Sequence, residues 1–370
     1  MKIFIISTII GHIGHILSSH IISSEVHNIV GSYKIMSKIG AQKKLIPLEL
    51  NMENPFTCIS SSQFSPHDSS SYIYEGNSSI TINRNTIASK LFLDSFEIAD
   101  EKITVENYTM HYITKEYGAT SNSLGLAFTF KVDRYSLIYQ LYHKNIIPSM
   151  NFGFMNNKIY FGGLPIDLNK NYFVGSCKVD NPYDRYTWGC SLSKFEIGGR
   201  YVYMSTHKSM FQSSHEYILA PIGGYQYIKK TVFPKYYNNN TCTLNEKNDE
   251  ITCKCKDIQY FPIISFVFGR VYINVDKSML FEKKYENCIF KIKPNHKDEF
   301  MWSFGSLLYK NYSILFDYKN QSISVYSPIE NEISTIDISS HVLFTIKFNI
   351  IIMISDIILL IVLKKIILYY

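Results

Sequence analysis

Apolar and polar residues alternate along Tyr33 to Gly40 (YKIMSKIG) and again from Leu45 to Asn51, where Glu49 separates Leu48 from Leu50. A period of two marks a half-buried strand, so both stretches are predicted as β-strands. Asn51-Met52-Glu53-Asn54 is turn-prone, and an apolar run from Phe56 to Ile59 leads into a Ser-rich loop. Asn77 to Phe96 reads as a hairpin with a polar turn at Asn83-Arg84-Asn85. Leu137, Ile138, Leu141 and Tyr142 fall at helical spacing and predict one helix within Ser136 to Ile147. Pro262 to Phe268 is a further strand. Strand signals dominate the body of the chain, and the expected fold class is all-β.

The two ends break this pattern. Met1 to Leu17 carries one Lys and then an Ile-rich run, with Ser18, Ser19, Ser23 and Ser24 as small residues near a cleavage point. It reads as a secretory leader over residues 1–23. His12 and His15 interrupt the run, and a retained anchor is the alternative. Val342 to Leu363 spans 22 residues, 17 of them apolar, and a helix needs about 20 to cross a bilayer. Asp356 costs about 3 kcal/mol on insertion while each Ile or Leu returns about 0.5, so the sum favours a transmembrane helix over 342–363. Lys364-Lys365 would hold the C-terminus on the cytoplasmic side and leave the body lumenal or extracellular.

Composition narrows the classes. A chain of 370 residues has room for two ordinary domains, and 46% apolar against 18% charged residues permits sizeable cores. Abundant Tyr (29) and Phe (24) favour strands. The net charge of +6 is spread thinly, and Lys229-Lys230 and Lys283-Lys284 are pairs rather than a stripe. No nucleic-acid partner is expected. Seven cysteines fit an oxidising compartment. Cys177 and Cys190 flank a pair of strands, Cys242 and Cys253 flank a polar loop, and Cys255 and Cys288 enclose a longer one. Cys253-x-Cys255 lacks companions at zinc spacing, so disulfides are expected and no metal. Five glycosylation triplets, at Asn77, Asn107, Asn239, Asn311 and Asn320, fit a secreted surface.

The order of motifs resembles the pepsin-like aspartic protease family (peptidase A1). Ile39-Gly40 stands where family members end a strand in Ile-Gly. Phe64-Ser65-Pro66-His67-Asp68-Ser69-Ser70-Ser71-Tyr72 stands where they carry Phe-x-Pro-x-x-Ser-Ser-x-Tyr. Ser123-Leu124-Gly125-Leu126-Ala127-Phe128 resembles Ile-Leu-Gly-Leu-Ala-Tyr, and Ile159-Tyr160-Phe161-Gly162-Gly163 resembles the end of the first lobe. Trp188 with Phe195-Glu196-Ile197-Gly198-Gly199 resembles a strand pair of the second. Met301-Trp302-Ser303-Phe304-Gly305 and Tyr312 through Asn320 match the closing Trp-x-Leu-Gly, Tyr-x-x-Phe-Asp and Asn. The resemblance covers Tyr33 to Pro328 and implies a bilobal fold with an inter-lobe cleft, an N-terminal lobe over 28–167 and a C-terminal lobe over 168–330. It also implies the bridge Cys255–Cys288, beside Cys177–Cys190 and Cys242–Cys253, with Cys58 left over where the family usually has Trp.

The catalytic parts depart from the family. Aspartic protease chemistry needs two facing carboxyls that share one proton. Asn51-Met52-Glu53-Asn54 stands in place of Asp-Thr-Gly-Ser, and Pro221-Ile222-Gly223-Gly224-Tyr225 is read in place of the second Asp-Thr-Gly-Thr-Ser. Asn51 exchanges no proton, and Pro221 has no polar side-chain atom. The flap motif Tyr-Gly-x-Gly falls on Ile82-Asn83-Arg84-Asn85. The expected protein is a membrane-anchored, catalytically inactive pseudoprotease without cofactor. It binds a polypeptide or protein partner in or near the cleft, with Met52, Ile82, Ile222, Gly223 and Tyr225 lining cleft and flap. Two alternatives stand beside it: an aspartic endopeptidase with a non-standard dyad, for which Glu53 with His215-Glu216 is the available set, and a non-enzymatic surface scaffold.

Overall fold

The computed structural model describes residues 20–29, 32–82, 85–98, 100–113, 122–129, 134–180, 187–203 and 208–328. The described residues through Ser327 form one compact unit. The segment 342–363 and most of the leader lie outside the described residues. Among those described, no helix is long and apolar enough to cross a membrane.

The first half contributes β1 (Ile22–Glu25), β2 (His27–Ile29), β3 (Ser32–Ile39), β4 (Lys44–Asn51), β5 (Cys58–Ser60), β6 (Ile73–Ile82), β7 (Asn85–Ile98), β8 (Ile103–Ile113), β9 (Ser123–Gly125), β10 (Asn151–Met155) and β11 (Lys158–Phe161). The second contributes β12 (Asn171–Lys178), β13 (Lys194–Ile197), β14 (Arg200–Val202), β15 (Ser209–Phe211), β16 (Ile218–Ala220), β17 (Cys242–Asn245), β18 (Glu250–Lys254), β19 (Ile264–Phe268) and β20 (Val271–Val275). It closes with β21 (Phe281–Lys284), β22 (Asn287–Phe290), β23 (Ile292–Pro294), β24 (Trp302–Phe304), β25 (Ser313–Asp317) and β26 (Ser322–Pro328). One eight-stranded sheet, β2-β3-β4-β9-β5-β8-β7-β6, makes the first lobe, with β3 also pairing β7. Three four-stranded sheets make the second, and the six-stranded sheet β1-β11-β10-β25-β26-β12 draws strands from both.

Alternation explains the long strands. Along β3 every second residue is buried, and Ile35 and Ile39 are fully so. Ile46, Leu48 and Leu50 of β4 face the same core. One core cluster runs through both lobes. At its middle Trp188 packs on Phe128, Phe152, Phe316 and Tyr318, and its indole N–H donates to Leu126 O at 2.7 Å. The hairpin β6–β7 closes at Ile82 opposite Asn85, with the tip at 83–84 outside the described residues. The three expected disulfides are present, Cys177–Cys190, Cys242–Cys253 and Cys255–Cys288, and Cys58 is free and buried.

Two expectations change. The fold is mostly-β rather than all-β. A helix spans Leu137–His143 as expected, although Gln140 takes the inward place of Tyr142 because its amide bonds both Thr109 N and Thr109 O. A longer helix, Ile222–Thr231, was not foreseen. The leader boundary at residue 23 also conflicts with the fold. Ile22 is fully buried, β1 pairs Ile22 with Phe161 and Ser24 with Ile159, and Ser24 Oγ donates to Asp100 at 2.7 Å. Cleavage after residue 23 would halve this strand and strip out a core side chain, a loss of about 2–3 kcal/mol. The intact mass of the mature chain should therefore place its first residue no later than Ile21. A mature chain starting at Ser24 would contradict this packing.

Candidate functional site

Two loops with the same wiring face each other at the centre. In the first lobe β4 runs parallel to β9, with Leu50 opposite Leu124 and Asn51 opposite Gly125. β5 then returns antiparallel to β9 and parallel to β8. In the second lobe β15 runs parallel to β24, with Met210 opposite Ser303 and Phe211 opposite Phe304. β16 returns antiparallel to β24 and parallel to β23. Leu124-Gly125 thus corresponds to Phe304-Gly305, and the residue that leaves β15 as Asn51 leaves β4 is Gln212. Its N–H donates to Phe304 O at 2.9 Å.

The loops are joined directly. Ser213 is 1% exposed, and its Oγ donates to Leu50 O at 2.5 Å. Gln212 Nε2 donates to Glu53 Oε1 across the junction. Tyr309 OH lies 3.5 Å from Met52 Sδ. Within the first loop, Asn51 Oδ1 accepts from Glu53 N and Asn54 N, both at 2.9 Å, which fixes the amide as an Asx turn. Asn54 is buried and bonds Cys58 Sγ and Phe56 N. Glu53 is not among the residues with positive φ, so the loop avoids the left-handed backbone that would penalise this side chain.

In the second loop the Gln212 amide oxygen accepts from Ser303 Oγ at 2.9 Å, and His215 Nε2 lies 2.8 Å from that Oγ and 3.1 Å from the same oxygen. Burial pulls the His215 pKa down to about 4, so the ring is neutral near pH 7. Next to it Glu216 bonds Asn28 Nδ2 and pairs with Lys291 at 3.5 Å and Lys310 at 3.9 Å. Lys291, nearly enclosed, also meets Glu282 at 2.5 Å. Among the described residues no group of three or more His, Cys, Asp or Glu is placed to hold a metal.

The expected site residues divide. Asn51 ends β4 opposite Gly125 of β9. Met52 is 2% exposed beneath Tyr309 and lines no groove. Pro221, Ile222, Gly223 and Tyr225 belong elsewhere. Pro221 caps the helix Ile222–Thr231 beyond β16, and Tyr225 is 1% exposed in the second-lobe core with its hydroxyl on Asp249 O. The Ile82 side chain lies outside the described residues. Sequence reasoning missed Gln212 and Ser213, and singled out His215 only as part of a non-standard dyad. The available signal was the apolar pair Met210-Phe211 running into Gln212-Ser213-Ser214.

No curated protein sequence matches the chain. Among solved structures, the aspartic proteinase from Irpex lacteus superposes with a TM-score of 0.67 at 9% identity, covering 84% of this chain and 98% of that one. At that identity the likeness concerns the fold, a pepsin-like pair of lobes. The profile described as eukaryotic aspartyl protease matches residues 46–327, a span that holds both central loops and most of both lobes. By that match, and in agreement with the fold, this chain belongs to the eukaryotic aspartyl protease family.

Proposed function

We propose that this family member no longer hydrolyses peptide bonds and binds a polypeptide or protein partner in or near the inter-lobe cleft, held to a membrane by a helix over 342–363. The observation that carries the reading is the pair of amides at matching strand ends, Asn51 closing β4 and Gln212 directly after β15. Neither amide shares a proton with its neighbour or activates water as a base. The carboxyl dyad works because one group is ionised and the other is not, and amides offer no such division. The three disulfides and the family support a lumenal or extracellular position.

A second reading has one observation in its favour. Glu53 meets Gln212, and Gln212 meets His215, so a carboxylate and an imidazole are joined through one amide. Cleavage of denatured protein substrates between pH 3 and 7 separates the two. The expected result is no cleavage, and Asn51→Asp alone should restore none because an amide still faces it. Pepstatin-sensitive cleavage would overturn the proposal, and cleavage abolished by Glu53→Gln would establish the second reading.

A further inference from the structure

We propose that Asn77, Asn107 and Asn239 are N-glycan acceptors, while Asn311 and Asn320, which carry the same triplet, stay bare. The proposal rests on the lumenal placement above. In the reaction Asn Nδ2 bonds the anomeric carbon of a polyisoprenyl-diphosphate-linked oligosaccharide. The bond from that carbon to the diphosphate oxygen breaks, the diphosphate leaves on its lipid, and Nδ2 gives one proton to a base of the transferase. The asparagine keeps its Oδ1 and one N–H. A glycan is a bulky, solvated surface group, so the folded chain must offer Nδ2 an open path to water without giving up a bond.

Three triplets meet that condition. Asn77 is exposed on β6, as is Ser79 two residues on. Its Oδ1 accepts from the Tyr74 hydroxyl at 2.8 Å, a bond that a sugar on Nδ2 leaves in place. Asn107 lies where the β7–β8 ladder is interrupted: Tyr108 pairs with Asp94 and Val105 with Phe96, so Glu106 and Asn107 bulge outward opposite Ser95. Asn107 is exposed with φ 50°, a conformation Asn tolerates better than most residues. Asn239 caps the helix Pro234–Asn238 and is exposed.

The other two are committed. Asn311 is half-buried and its Nδ2 donates to Leu307 O at 3.0 Å. Asn320 closes the β25–β26 turn with its backbone N and its Nδ2 each 2.8 Å from the Asp317 carboxylate. A sugar at either position crowds an existing bond. Both flank β25 of the six-stranded sheet, which leaves that sheet free of sugar and the lobes decorated.

The test is expression of the full chain with microsomes, followed by peptide-N-glycosidase digestion and mass analysis of the tryptic peptides. Three mass steps are expected, with Asn77→Gln, Asn107→Gln and Asn239→Gln each removing one, and Asn311→Gln and Asn320→Gln removing none. Glycan on Asn311 or Asn320 would overturn the assignment, as would a protease-protected chain that carries none. A chain left open to protease outside the vesicles would overturn the lumenal placement as well.

Discussion

Lowering the pH from 7 to 4 should remove about 5 kcal/mol of folding stability from this chain, a third or more of the roughly 5–15 kcal/mol a typical domain possesses. Two buried imidazoles are responsible. His111 on β8 is 3% exposed, with Nδ1 3.0 Å from Ser89 Oγ and its ring 4.8 Å from that of Phe56. Its ladder partners are Cys58 on β5 and Leu91 on β7, so no carboxylate faces it from either strand. His215 sits against Gln212 and Ser303, with Lys297 adding repulsion and Glu216 occupied by Lys291 and Lys310. Desolvation lowers both pKa values from 6.5 to about 4. Below pH 6.5 the unfolded chain takes up two protons that the folded chain refuses, so stability falls with pH across that window and the loss is complete near pH 4. Each group accounts for about 3 kcal/mol if wholly enclosed, and His215, which is partly exposed, for about 2. Below pH 4.5 the Glu97 carboxylate adds to the loss, because Lys38 and Lys43 hold its pKa down to about 2 and protonation ends both pairs. Urea midpoints at pH 7, 5.5 and 4 measure the effect, and His111→Leu and His215→Gln should each flatten the slope. A midpoint that does not move between pH 7 and 4 would show that both rings ionise freely in the folded chain.

Periodicity made the long strands legible. In β3 and β4 it marks every buried residue but Ser37, the hairpin β6–β7 followed from turn chemistry, Cys177–Cys190 and Cys242–Cys253 from the elements they flank, and Cys255–Cys288 from the family resemblance. The second central loop escaped for two reasons. β15 and β16 are three residues each, and all of β15 is buried, so there is no alternation to read. Gly223-Gly224 also looked like the glycine of a tight catalytic turn, whereas both lie in a helix. Glycine there costs about 1 kcal/mol per residue against alanine, and packing explains one of them: a Cβ on Gly224 would come within 3.0 Å of the Trp302 ring. The site's true register is set by pairing between β15 and β24, a long-range contact with no local signature.

Replacing Gly305 or Gly125 by alanine should abolish folding, because at each place a central loop passes too close to the strand end beside it for any side chain. A Cβ on Gly305 would lie 2.3 Å from His215 O, 2.4 Å from His215 Nδ1 and 2.5 Å from Tyr217 O. A Cβ on Gly125 would lie 2.3 Å from both Phe56 N and Pro55 C. Most of these are backbone atoms of the loops that carry Gln212 and Asn51, so a rotamer change relieves neither clash. Neither glycine has positive φ, which excludes backbone strain as the cause and leaves close approach alone. Each substitution belongs with the rare losses above about 4 kcal/mol. Gly223→Ala is the control: the position is exposed and helical with nothing within 4 Å of a Cβ, and alanine should stabilise it by about 0.5–1 kcal/mol. Soluble yield and thermal melts of the three variants decide the matter. A folded Gly305→Ala chain with an ordinary melt would break the correspondence between Phe304-Gly305 and Leu124-Gly125, and with it the placement of Gln212 opposite Asn51.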